Sequence, residues 1–155
     1  MKMMKLLIPI VFCVFASCDK STVYKDFDRG FDDNRWLKAD VKTFDFTITD
    51  TLKSYDLVLD FSHIAGYQFE SVPVKFNIVN PDKSVTAENV DIVISDGPGN
   101  ELGDCSGDIC DLQQTIFENK KLEAGNYRIV LSNEFNTYLP NVLGIGIRVK
   151  FSGEQ

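Results

Sequence analysis

From Thr43 onward, apolar and polar residues alternate in one run after another. Phe44, Phe46 and Ile48 alternate with Asp45, Thr47 and Thr49. Leu57, Leu59 and Phe61 alternate with Val58, Asp60 and Ser62, and Val72, Val74, Phe76 and Ile78 with Pro73, Lys75 and Asn77. Tyr127, Ile129 and Leu131 form another such run, and Ile145, Ile147 and Val149 share one face of a run from Val142 to Phe151. A period of two puts alternate side chains on opposite faces of a strand, one face for a core and one for water. Val90 to Ile94 and Gln114 to Phe117 are shorter candidates of the same kind. No stretch keeps a helical period, although Asn119 to Glu123 could hold one loose turn.

Turn chemistry separates the runs. Asn80-Pro81-Asp82-Lys83 suits a type I turn, with proline pre-set for its second position. Asp96-Gly97-Pro98-Gly99-Asn100 enforces a loop, and Ala124-Gly125-Asn126 precedes a strand as a tight turn. Seven or so short strands with polar turns predict an all-β, antiparallel β-sandwich, jelly-roll-like or Ig-like. Pro73 cannot donate to a ladder and predicts an edge strand. No internal repeat or low-complexity tract is visible, and one domain accounts for the chain.

The N-terminus sets the compartment. Lys2 and Lys5 precede an apolar run from Leu6 to Phe15, then the small residues Ala16 and Ser17, then Cys18. This is a signal-peptide layout, and the run is short of the ~20 apolar residues a transmembrane helix needs. A cysteine directly after the small residues predicts lipoprotein processing, with Cys18 alkylated by lipid and left as the new N-terminus. The expected organisation is residues 1–17 as signal peptide, 18–38 as lipidated tether and irregular N-terminal segment, and 39–155 as the β-sandwich. Phe31 and Trp36 would pack that segment on the domain.

Sixteen basic residues face 23 acidic ones. Loss of Lys2 and Lys5 with the signal peptide takes the net charge from −7 to about −9. Such a surface repels phosphates, which excludes nucleic acid as a partner class. Attachment to a membrane would then rest on the lipid and not on a basic face.

Cys13 falls in the signal and Cys18 takes the lipid, leaving Cys105 and Cys110. An even remainder in an oxidising compartment suggests a disulfide, a staple worth about 2 kcal/mol for so short a loop. A zinc site would want more ligands nearby, and the only histidine is His63. The C-x-x-x-x-C spacing also differs from the C-x-x-C of redox motifs.

Chemistry-bearing sets are sparse. There is no G-x-S-x-G elbow and no phosphate-binding loop. No serine or cysteine stands at motif spacing from His63, so a non-enzymatic protein with a structural histidine at a strand end is expected. The acidic loop offers hard oxygens for calcium at Asp96, Asn100, Asp104, Asp108 and Asp111, without the EF-hand spacing. Tyr24, Phe27, Phe31, Trp36, Tyr55, Tyr67, Phe69 and Tyr138 could fill the core or present a contact surface. Tyr67 and Phe69 stand out as candidate partner or ligand contacts, because they follow Gly66 between two strands.

The order of several segments is informative. Val23-Tyr24 and Trp36 are followed by Phe44-Asp45-Phe46-Thr47-Ile48-Thr49-Asp50, by Tyr55 through His63, and by Tyr67 through Val72. A glycine-rich loop from Gly99 to Asp111 and the closing Leu139-Pro140-Asn141-Val142-Leu143-Gly144-Ile145-Gly146-Ile147-Arg148-Val149 complete the series. In this order the chain resembles the GldH family, gliding-motility lipoproteins of Bacteroidota. Gln68 stands where that family has proline, and Glu101 where an aromatic is usual. Cys105 and Ser106 replace glycine and leucine, and Cys110 replaces an aromatic. The cysteine pair is then a local substitute for glycine-and-aromatic packing.

The resemblance implies a membrane-anchored, periplasm-facing lipoprotein of the cell envelope with no catalytic residues. Its expected partners are envelope motility and secretion proteins, with an accessory role in secretion or envelope assembly in species that do not glide. The alternative from the residues is a glycan- or small-ligand-binding sandwich, with calcium as a possible aid.

Overall fold

In the computed structural model, residues 21–135 and 137–153 are described. The predicted signal peptide and Cys18 lie outside them. Eleven strands follow in chain order: β1 (Thr22–Asp28), β2 (Trp36–Leu37), β3 (Lys42–Ile48), β4 (Tyr55–Ile64), β5 (Ser71–Val79), β6 (Val85–Val93), β7 (Asp104–Ser106), β8 (Ile109–Lys120), β9 (Gly125–Asn133), β10 (Tyr138–Leu139) and β11 (Val142–Phe151). One sheet has the order β1-β11-β4-β8-β7, and the other β3-β9-β5-β6. A small ribbon pairs β2 with β10.

The eight longer strands pair outside-in, β1 with β11, β3 with β9, β4 with β8 and β5 with β6. One long antiparallel hairpin is thus wound round itself so that successive pairs fall in alternate sheets. That is the jelly-roll wrap, and it decides between the two expected sandwiches against the Ig-like one. The inner faces carry the predicted residues: Phe44, Phe46 and Ile48 are buried opposite Leu59, Phe61, Ile145 and Ile147. The turn at Asn80 forms with proline in its second position, the Lys83 N–H donating to the Asn80 carbonyl at 2.9 Å.

Four expectations change. Strand β1 occupies part of the supposed tether and pairs with β11 from Thr22 to Asp28. Its sequence has no clean alternation because it is an edge strand with little inward-facing surface. Pro73 lies on an interior strand, since β5 sits between β9 and β6. The ladder to β9 begins only at Val74, and the Pro73 carbonyl accepts from Glu134 N–H where β9 ends. The missing donor therefore faces the end of a ladder, which is locally an edge. Strands β6 and β8 are longer than their apolar cores, and β8 runs to Lys120, two residues into the 119–123 segment that could hold a loose turn. Finally, β4 is buried on both faces. On its outer face Asp60 is nine-tenths buried and is held by Arg148 Nη2 at 3.1 Å from each carboxylate oxygen.

Trp36 closes one side of the core and is fully buried. Its Nε1–H donates to the Asp40 carbonyl at 2.7 Å, and its own carbonyl accepts from Asn133 Nδ2 at 2.9 Å. The polar edge of the indole is thereby satisfied, as burial requires.

Candidate functional site

Three connections meet at one end of the sandwich: residues 65–70 after β4, residues 99–110 around the β7–β8 hairpin, and residues 138–141 before β11. Hydrogen bonds tie them together. Ala65 N–H donates to the Asp108 carbonyl at 3.0 Å, and Ile64 N–H to the Asn141 carbonyl at 3.1 Å. The Gly66 and Tyr67 N–H groups both donate to Glu101 Oε1 at 3.0 Å. Gly66 has φ +73°, a conformation open to glycine at no cost, and this turns both amides toward the carboxylate. These bonds, Tyr67 N–H foremost, hold the Glu101 carboxyl below its ordinary pKa, with His63 adding attraction.

Tyr67 is not displayed on a loop. Its ring packs edge-on against His63 and Phe61, and its hydroxyl donates to the Pro140 carbonyl at 2.8 Å. Burial pushes its phenol well above the ordinary value. Phe69 is half-buried and lies further out, with its ring 4.5 Å from that of Phe135. Phe69, Phe135, Thr137, Tyr138 and Pro140 line a shallow groove of about 260 Å³. Next to it the β2–β10 ribbon presents Leu37, 49% exposed, opposite Tyr138, 39% exposed. The Arg35 guanidinium covers the Tyr138 ring at 5.1 Å. Of the two predicted contact residues, the fold makes Phe69 a groove wall and Tyr67 its support.

Cys105 and Cys110 are joined as a disulfide between cross-strand partners of the β7–β8 hairpin. Cys110 is also the register partner of His63 across β4 and β8, and both are fully buried. His63 Nδ1 lies 3.0 Å from the Ile64 carbonyl, while Nε2 has no hydrogen-bond partner among the described residues. Glu101 Oε2 faces both sulfurs, 3.4 Å from Cys110 Sγ and 3.7 Å from Cys105 Sγ. Among the described residues, the ligand atoms of His63, Glu101 and Cys110 form a close group, and those of Asp96, Asp104 and Asp108 do not. Asp96 instead accepts from the Asn100 amide within its own turn, and Asp108 sits at the hairpin tip. The sequence hid the pairing of His63 with Cys110 because 47 positions separate them, and Glu101 because a lone carboxylate in an acidic loop carries no pattern.

Fold and site define a small jelly-roll domain with an aromatic surface at one end, braced by a buried polar cluster. Residues 22–149 match the GldH lipoprotein family, and the chain belongs to it. As a member it is a lipoprotein of the cell envelope. It is similar to a protein of Christiangramia forsetii named gliding motility lipoprotein GldH homolog, at 26% identity over 117 residues, or 75% of this chain and 70% of the relative. Among solved structures, that of the infectious bursal disease virus Gx strain aligns with 96% of this chain at 14% identity and a TM-score of 0.31. The chain spans 39% of that viral chain. Among the described residues no helix is long and apolar enough to cross a membrane.

Proposed function

We propose that this protein is a lipid-anchored, non-enzymatic interaction module that faces the periplasm and docks onto the machinery of gliding motility and protein secretion. The observation that carries this reading is the family match, which runs from β1 to β11, together with the motility name of the Christiangramia relative. The geometry supports it. The aromatic groove at the end of the sandwich is shallow and open, of the kind that receives a protein segment. A substrate-burying pocket would be deeper.

The test is a crosslinking pull-down from native membranes, with a C-terminal tag and Cys18 intact. Recovery of motility or secretion-channel components, lost in Phe69→Ala or Tyr138→Ala with the melting curve little changed, is the expected result. Recovery of lipid and peptidoglycan fragments alone would move the reading to glycan binding. A cleft of about 410 Å³ beside β3 and β9, with Phe46 and Tyr127 as well as Asn80, Lys83 and Asn126 in its lining, would then be the first place to mutate.

A further inference from the structure

We infer that opening the Cys105–Cys110 disulfide creates a zinc site with His63, Glu101, Cys105 and Cys110 as its ligands. Tetrahedral zinc holds nitrogen, oxygen and sulfur at about 2.0–2.3 Å, which places its ligand atoms roughly 3.3–3.8 Å from one another. The oxidised protein already shows that spacing between the carboxylate and the sulfurs, with His63 close by. Cys110 Sγ is 3.4 Å and Cys105 Sγ 3.7 Å from Glu101 Oε2, and His63 Nδ1 is 3.8 Å from the other oxygen of the same carboxylate, Oε1. The ligand atoms of His63, Glu101 and Cys110 all lie within 4.8 Å of one another. Only the two sulfurs are too close, because a covalent bond joins them.

The supporting contacts are also in place. Glu101 divides its work: Oε1 accepts the Gly66 and Tyr67 amides, while Oε2 points at the sulfurs. The carboxylate can thus bind a metal through one oxygen and keep its orienting bonds on the other, the outer-shell arrangement that metal sites use. His63 is fully buried, and its Nδ1, which faces Glu101, would give up its contact with the Ile64 carbonyl to take the metal, while Nε2 has no hydrogen-bond partner among the described residues. Two thiolates with an imidazole and a carboxylate select zinc over calcium or magnesium, which want oxygen alone.

Entry is from the exposed Cys105 side of the hairpin. A dithiol reductant attacks there, supplies two electrons and two protons, and leaves as its own disulfide, so that the S–S bond becomes two thiols. Zinc then displaces the two thiol protons to solvent. The metal takes over the bracing of the hairpin from the bond it replaces.

The experiment uses the full-length protein in detergent, reduced with dithiothreitol and desalted under argon, and titrated with Zn²⁺ against a chromophoric chelator. Co²⁺ serves as the spectroscopic probe. The reduced protein should bind one Zn²⁺ per chain and the oxidised protein none. Co²⁺ should give thiolate charge-transfer absorption with the strong visible bands of a tetrahedral site. His63→Ala and Glu101→Gln should each weaken binding by at least ~tenfold, the scale that even an outer-shell partner carries. Glu101→Gln keeps an acceptor for the two amides and covers the case in which His63→Ala fails to fold. Equal affinity of reduced and oxidised protein would overturn the inference. So would full-strength binding in Glu101→Gln with a Co²⁺ spectrum that is not tetrahedral.

Discussion

Single residues show where this fold has no slack. Gly144 and Gly146 stand on the outer face of β11, and the Phe27 ring of β1 lies over both in the space their missing side chains leave. A Cβ on Gly146 would meet the Asp26 carbonyl and come within 2.6 Å of Phe27 Cδ2. Backbone is on the other side of that clash, so it cannot be relieved by a rotamer change. Gly146→Ala should lower stability by about 1–3 kcal/mol in urea unfolding, the scale of overpacking. Gly97→Ala, with nothing within 4 Å, should leave the midpoint in place. Glu101 adds a pH signature. Its folded-state pKa is depressed, so its contribution is complete above the unfolded glutamate value and is lost as pH falls through the folded one. Between about pH 5 and pH 3, wild-type stability should therefore fall more steeply than that of Glu101→Gln. Parallel slopes in the two proteins would show that the carboxylate does not hold the 65–70 loop.

Among the elements, β6 is the exposed edge of its sheet, and one side chain guards part of it. From β8, Gln114 accepts from Val93 N–H at 2.9 Å and donates to the Asp91 carbonyl at 2.9 Å. Its amide stands in for an incoming strand, one of the ways proteins blunt an edge. Gln114→Ala leaves both backbone groups without that partner. The expected cost is about 1–3 kcal/mol, with a rise in light scattering on storage as the edge becomes available. No change in either would mean that solvent satisfies these groups equally well. Local pattern made most strands legible: β3, β5 and β9 alternate cleanly because each has one wet and one dry face, and β11 because its inward Ile145, Ile147 and Val149 alternate with Gly144, Gly146 and Arg148. It failed for β1, an edge strand whose apolar residues keep no period, and for the polar end of β8 toward Lys120 and the outer positions of β6. A period-2 reading has nothing to detect there. It also misjudged β4, whose second face is covered by the Asp60–Arg148 pair, a neighbour 88 residues away.

The whole molecule is held by pairings between its two ends. Strand β1 pairs with β11, and Phe27 caps the glycine gap on the outer face of the first sheet. Within the 18–38 segment expected to be tether and irregular chain, the seven residues of β1 are therefore structural. A chain beginning at Arg29 should lose the cooperative melt of the full domain, by circular dichroism, because β11 becomes an unpaired edge and Phe27 is gone. An unchanged melt would restore the tether reading. Such end-to-end pairing also closes long loops before it is rewarded, which places folding toward the slow end for a domain of this size.

By itself the sequence determined the fold class, the inward face of the main strands, the turns at Asn80 and Asp96, and the family. These follow from interactions among residues within a few positions of one another, which the order of side chains records directly. Tertiary structure decided the rest: the jelly-roll wrap, the interior place of β5, the inward turn of Tyr67, and the meeting of His63, Glu101, Cys105 and Cys110. Those depend on which distant strands lie side by side, and that is set by closing the two ends of the chain over one shared core.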